Sequence, residues 1–98
     1  MKEAGRLNIL VVDDEPDIRS TLADILEDEG YRVTQAASAA EAEARLRDGL
    51  YDLLLLDIWM PGEDGLQFLR RLASNGLEQP VVMMSGHGTI ETAVQATK

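Results

Sequence analysis

Two apolar runs, each stopping at carboxylate, constrain this chain more than any other feature. The first is Leu7-Asn8-Ile9-Leu10-Val11-Val12, followed by Asp13-Asp14-Glu15; the second is Tyr51-Asp52-Leu53-Leu54-Leu55-Leu56, followed by Asp57. Apolar runs of this length without helical periodicity read as strands buried on both faces, as in a parallel sheet. In an open α/β sheet, ligands bind outside the carboxyl ends of the strands, where both acid clusters fall. If the two strands are parallel neighbours, Asp13, Asp14 and Asp57 converge. Three carboxylates brought together repel one another and call for a cation. Oxygen donors alone favour a hard ion, Mg2+ first, with Ca2+ and Mn2+ as alternatives.

The rest of the chain fits one small α/β domain. With 98 residues, 45% of them hydrophobic, it is long enough for a single core and too apolar for disorder. No apolar stretch reaches the length of a membrane span. The start, Met1-Lys2-Glu3-Ala4-Gly5-Arg6, lacks the apolar centre of a signal peptide. There is no cysteine, which excludes disulfides and thiolate metal sites and fits a cytoplasmic protein. A net charge of −9 disfavours direct nucleic-acid binding by this segment. Most of that acidity reads as a solvated surface; only the clustered acids need a special explanation.

Strand and helix signals alternate, with no internal repeat or linker. The first strand is Leu7 to Val12. Pro16 suits the first turn of a helix whose apolar stripe is Ile18, Leu22, Ile25 and Leu26, ended by Gly30. A short, mixed strand from Arg32 to Ala36 reads as an edge. Ser38-Ala39-Ala40-Glu41 has capping-box spacing and starts a second helix, ended by Gly49. Leu53 to Leu56 is the third strand, stopping at Asp57. Met60-Pro61-Gly62-Glu63-Asp64-Gly65 is a turn-rich loop. A third helix directs Leu66, Leu69 and Leu72 inward and stops near Gly76. Pro80 opens a fourth strand, Val81 to Met84, and Ser85-Gly86-His87-Gly88 is a loop that brings Ser85 to the acidic rim. Thr89 begins a fourth helix with Ile90, Ala93 and Val94 on its apolar side.

Three groups of residues together resemble the receiver domain of two-component response regulators: Val11-Val12-Asp13-Asp14-Glu15; Leu56-Asp57-Ile58-Trp59-Met60-Pro61-Gly62 with Asp64-Gly65; and Met84-Ser85-Gly86. The stretch from Met84 to Val94 is most similar to NtrC-type regulators, the NtrX type in particular. The resemblance spans residues 7–98 and implies the flavodoxin-like, CheY-like fold, a doubly wound parallel sheet. It implies that Asp57 is a phosphoacceptor, taking its phosphoryl group from the phosphohistidine of a sensor histidine kinase. Asp13, Asp14, Asp57 and the backbone carbonyl of Trp59 would hold Mg2+. Ser85 would be the switch hydroxyl, and amides near Ile58, Trp59 and Gly86 would cradle the phosphoryl group. An output domain in cis, acting in transcription, would respond.

The resemblance also exposes a departure. Receiver domains carry a fifth strand with an aromatic switch residue and a terminal lysine, whereas this chain stops in the expected fourth helix. Lys98 is misplaced for that lysine, so residues 1–98 read as a receiver domain incomplete at its C-terminal end, truncated before the fifth strand. The fourth strand would then expose an apolar edge and invite a homodimer. Two rivals stand beside the phosphoacceptor reading. One is a dimerisation module independent of phosphorylation. The other is an aspartate-nucleophile phosphatase of the haloacid dehalogenase type, which Trp59 disfavours because it occupies the place of that family's second aspartate. His87, with no second histidine or any cysteine near it, reads as loop surface. Glu63 and Asp64 read as solvated loop acids, and Met83 and Met84 as core filler.

Overall fold

Both apolar runs become strands. The computed structural model describes residues 6–84 and, through their backbone, 90–92. Along the chain it forms β1 (Asn8–Val12), α1 (Pro16–Asp28), β2 (Arg32–Ala36), α2 (Ala39–Asp48), β3 (Leu53–Asp57), α3 (Gly65–Ser74), β4 (Val81–Met84) and β5 (Ile90–Thr92). The sheet order is β2-β1-β3-β4-β5. The first four strands are parallel, which is the doubly wound architecture expected, with β2 at one edge.

Register positions the rim. Val12 pairs with Leu56 in the β1–β3 ladder, so the residues that follow, Asp13 just past β1 and Asp57 at the end of β3, stand at the same level. Alternation along the strands sends Leu10, Val12, Leu54 and Leu56 into the larger core, with Phe68, Leu69 and Leu72 of α3 and Ala39 and Ala42 of α2. Ile9, Val11, Leu55 and Met84 form a smaller cluster on the other face, against which Leu22 and Leu26 of α1 pack. Met83 and Met84 are buried, as core filler should be.

Local chemistry fixes the helix starts. Pro16 occupies the opening of α1. The Ser38 hydroxyl accepts from the Glu41 amide, as the capping spacing predicts. The Glu41 carboxylate, however, accepts from the Ala37 amide, one residue before the cap. At α3 a full capping box forms from Asp64 and Gln67, each side chain accepting from the other's backbone amide. Asp64 is therefore a structural cap and not a free loop acid.

Three further expectations need correction. Ile18 and Ile25 are exposed, because the inward stripe of α1 runs through Leu22, Ala23 and Leu26 and leaves them on its flank. Leu66 is also exposed: starting α3 at Gly65 puts Phe68, Leu69 and Leu72 in phase with the core and Leu66 beside them. Finally, residues 90–92 are not the first turn of a helix. They pair antiparallel with β4, Val82 opposite Thr92 and Met84 opposite Ile90. The unmet backbone groups of β4 are a template for whichever extended segment reaches them, and β-branched Ile90 and Thr92 suit that role. The bare β4 edge on which the expected self-association rested is thus covered by the chain itself. The remainder of the expected fourth helix, Ser85, His87 and Lys98 lie outside the described residues.

Candidate functional site

At the carboxyl ends of β1 and β3, one ligand oxygen from each of Asp13, Asp14 and Asp57 lies within 4.8 Å of the other two. The sequence reading brought these three together, and the parallel register of β1 and β3 is the reason. Asp13 and Asp57 are only 4% and 6% exposed, while Asp14 is half-buried. Two unit charges at such separations repel by about 3 kcal/mol in a protein-surface dielectric.

Each buried acid is tethered by the backbone beyond it. Asp13 Oδ1 accepts from the Glu15 amide at 2.9 Å, and Asp57 Oδ1 accepts from the Trp59 amide at 3.2 Å. The main chain is anchored too: the Asp13 amide donates to the Ala36 carbonyl, and the Ile58 amide to the Met84 carbonyl. Burial pushes both carboxyls above their ordinary value. The Glu15 amide and Arg19 resist this at Asp13, while the neighbouring charge of Asp14 adds to it. For Asp57, burial and then the charge of Asp13 raise the carboxyl to about 6, against the Trp59 amide. Buried carboxylates this close, with few donors, are a site short of positive charge, and the all-oxygen set suits a hard divalent cation.

Two further residues shape the site: Arg19, which was not singled out in the sequence, and Gly65, which entered only as part of the turn-rich loop and its Asp64-Gly65 pair. Arg19 donates through Nη1 to the Asp13 carbonyl at 2.7 Å and through Nε to Gln35 at 3.2 Å. A signal was available: Arg19 shares the helical phase of Ala23 and Leu26, so its side chain faces the sheet beside an acid pair. Gly65 packs directly on the Asp57 backbone. A Cβ there would lie 2.2 Å from the Asp57 carbonyl oxygen and 2.8 Å from Ile58 Cα. The Gly65 amide also donates to the Ile58 carbonyl at 2.8 Å. Glycine is required because α3 must start against the strand that carries Asp57. Trp59 follows on the rim with its side chain 64% exposed, as a loop aromatic should be.

Parallel strands in this order, with carboxylates gathered at the rim of β1 and β3, define the receiver class of signalling domain. Residues 9–98 match the response regulator receiver domain family, and the chain belongs to it. Within the family it is similar to the nitrogen assimilation regulatory protein NtrX of Azorhizobium caulinodans, at 50% identity over 93% of this chain. It spans only 20% of that relative's length. NtrX from Brucella abortus superposes with a TM-score of 0.80 at 49% identity, covering 93% of this chain and 21% of the other. The response regulator TrrA from Thermotoga maritima, solved in complex with Mg2+-BeF, matches with a TM-score of 0.72 at 40% identity, over 76% of this chain and 65% of that one. Among the described residues, no helix is long and apolar enough to cross a membrane.

Proposed function

We propose that Asp57 is the phosphoacceptor of this receiver domain and that Mg2+ is held by Asp13, Asp14, Asp57 and the Trp59 backbone carbonyl. The observation that carries the reading is the meeting of three carboxylates within 4.8 Å, two of them buried. TrrA, 40% identical, was solved in complex with Mg2+-BeF, which supports Mg2+ binding here. Bound there, Mg2+ supplies neutralisation of the charge between the carboxylates and an incoming phosphoryl group.

The chain's own residues do the rest. With its carboxyl at about 6, Asp57 is mostly ionised at neutral pH and needs no base to activate it. A carboxylate oxygen of Asp57 attacks the phosphorus of a histidine kinase's phosphohistidine. The P–N bond breaks, and the imidazole nitrogen leaves with its electron pair and takes up a proton. Phosphoryl transfer depends on in-line positioning and charge compensation more than on covalent assistance. The Trp59 amide fixes one Asp57 oxygen and so sets the orientation of the carboxylate. Ser85, by resemblance, is the hydroxyl that moves to the new phosphoryl group. The product adds up to about two negative charges to a rim already rich in them, enough to bias a local switch. We take the domain to be a cytoplasmic signalling switch and not a turnover enzyme. Its output lies in the rest of a longer protein that acts in transcription, since the chain spans about a fifth of its NtrX relative.

Trp59 is the only tryptophan and adjoins the site, so Mg2+ titration is read by its fluorescence. At ten times the dissociation constant, free Mg2+ should stabilise the fold by about 1.4 kcal/mol. Labelling with acetyl phosphate should require Mg2+ and vanish in Asp57→Asn. Equal labelling of Asp57→Asn and wild type would move the acceptor elsewhere.

A further inference from the structure

Arg71 of α3 makes a three-way contact that takes in the β3–α3 loop. Its Nε and Nη2 donate to the two carboxylate oxygens of Glu63 at 2.9 and 2.8 Å, a bidentate fork on the loop. Its Nη1 donates to Glu43 of α2 at 2.9 Å. The guanidinium also lies over the ring of Phe68, 5.4 Å from the centroid, and Phe68 is fully buried. Arg71 therefore joins the loop, α2 and the core in one network, and a planar fork held this way has little freedom. All three charged side chains are partly shielded, at 39% exposure for Arg71 and 29% for each glutamate. Hydrogen bonding to Arg71 is the largest cause holding both glutamates below their ordinary carboxylate range.

Glu63 closes a short span that begins at the site. Trp59 donates its amide to Asp57, Met60 is buried, Gly62 turns the chain at a φ of 78°, and Glu63 meets Arg71. After Glu63, Asp64 caps α3 and Gly65 returns to the backbone of Ile58. The loop is pinned at its start, at Met60 and at its end; Arg71 supplies a further hold at Glu63. We propose that Arg71 is a positioning residue for the carboxylate site: by gripping Glu63 and leaning on Glu43 it fixes the 59–63 loop, and with it the Trp59 backbone, against the α2–α3 layer. The link to metal binding rests on the Mg2+ reading above; the link to loop order does not.

The test uses the whole chain with Trp59 as probe. Arg71→Met and Glu63→Gln should each lower Trp59 fluorescence anisotropy in metal-free protein and weaken Mg2+ binding about tenfold, the scale of lost support behind a metal site. Arg71→Lys keeps a charge on Glu63 without the fork and should recover part of both losses. Arg47, 70% exposed and 3.7 Å from Glu43, touches no part of the loop, so Arg47→Met should leave both readouts at wild type. Thermal melts of every variant separate loop order from general destabilisation. If Arg71→Met and Glu63→Gln melt lower yet keep wild-type anisotropy and Mg2+ affinity, Arg71 is only a stability contact and the proposal falls. If the wild type shows no Mg2+ response, the metal reading fails, and the anisotropy comparison still decides whether Arg71 orders the loop.

Discussion

Among the described residues, the two faces of the sheet are built from the same kinds of residue but are covered unequally. One receives α2 and α3 and encloses Phe68, Leu54, Leu56 and Val81 at 0% exposure. The other receives α1 alone among the described residues. There Ile9 and Val11 are buried at 2% and 0%, but Leu55 and Met84 are 9% and 8% exposed, Leu22 and Leu26 are half-buried, and Ile18 and Ile25 lie open. Apolar strands supply surface to both faces, but only burial turns that surface into stability. Among the described residues the α2–α3 face therefore encloses the larger apolar cluster and contributes more of their hydrophobic stabilisation, and the rim between the faces carries a charge cost that opposes both.

Phe68→Ala should show the largest effect, a loss of about 4 kcal/mol, because it empties the better-covered core. Leu22→Ala, on the α1 face, should lose only about 1–2 kcal/mol, in keeping with its partial burial. Urea unfolding of both variants checks the contrast; equal losses would break it.

Next in size is the charge at Asp57. Its folded carboxyl is raised from 3.8 to about 6, so the folded state holds this proton more tightly than the unfolded chain. That contribution to stability is complete below pH ~4 and is lost as pH rises through ~6, a change of about 3 kcal/mol. Asp13, shifted in the same direction by burial, adds to the trend. In metal-free protein, Asp57→Asn should therefore be more stable than wild type at pH 7 by up to about 3 kcal/mol and no more stable at pH 4. Saturating Mg2+ should flatten the wild-type profile. A wild type whose stability rises from pH 4 to 7 without metal would contradict the assigned cost.

Gly65→Ala should cost about 2 kcal/mol, because a methyl group forced against the Asp57 backbone must shift either α3 or the strand. Its Mg2+ affinity should fall as well, which separates displacement of the rim from simple overpacking. The smallest change is expected for Ile25→Gln. At 54% exposure on the flank of α1, it should alter stability by no more than about 0.5 kcal/mol. A larger loss would mean that the α1 face is better covered than its exposure indicates.

Much of this architecture was legible before any coordinates. A continuous apolar run reads as a strand buried on both faces, and β1 and β3 obey that reading. Carboxylates placed where such runs stop read as a rim cluster, and Asp13, Asp14 and Asp57 meet. The site's supports were harder to see. Arg19 and Arg71 look like ordinary surface cations until helix phase and neighbouring elements bring them to Asp13 and Glu63. Asp64 passes for a loop acid until Gln67 is seen to complete its capping box.

Pattern along the chain determined which segments are strands and helices, and it placed the acids at the strand ends, because those properties depend on residues close in sequence. Tertiary structure decided how well each face is covered, which flank of α1 faces solvent, and that residues 90–92 pair with β4 instead of opening a helix. It also joined Arg71 to partners 8 and 28 residues away. Those outcomes turn on which surfaces compete for the same burial and which backbone groups are left without a partner. That competition is between segments distant in sequence, and it is settled only when they pack.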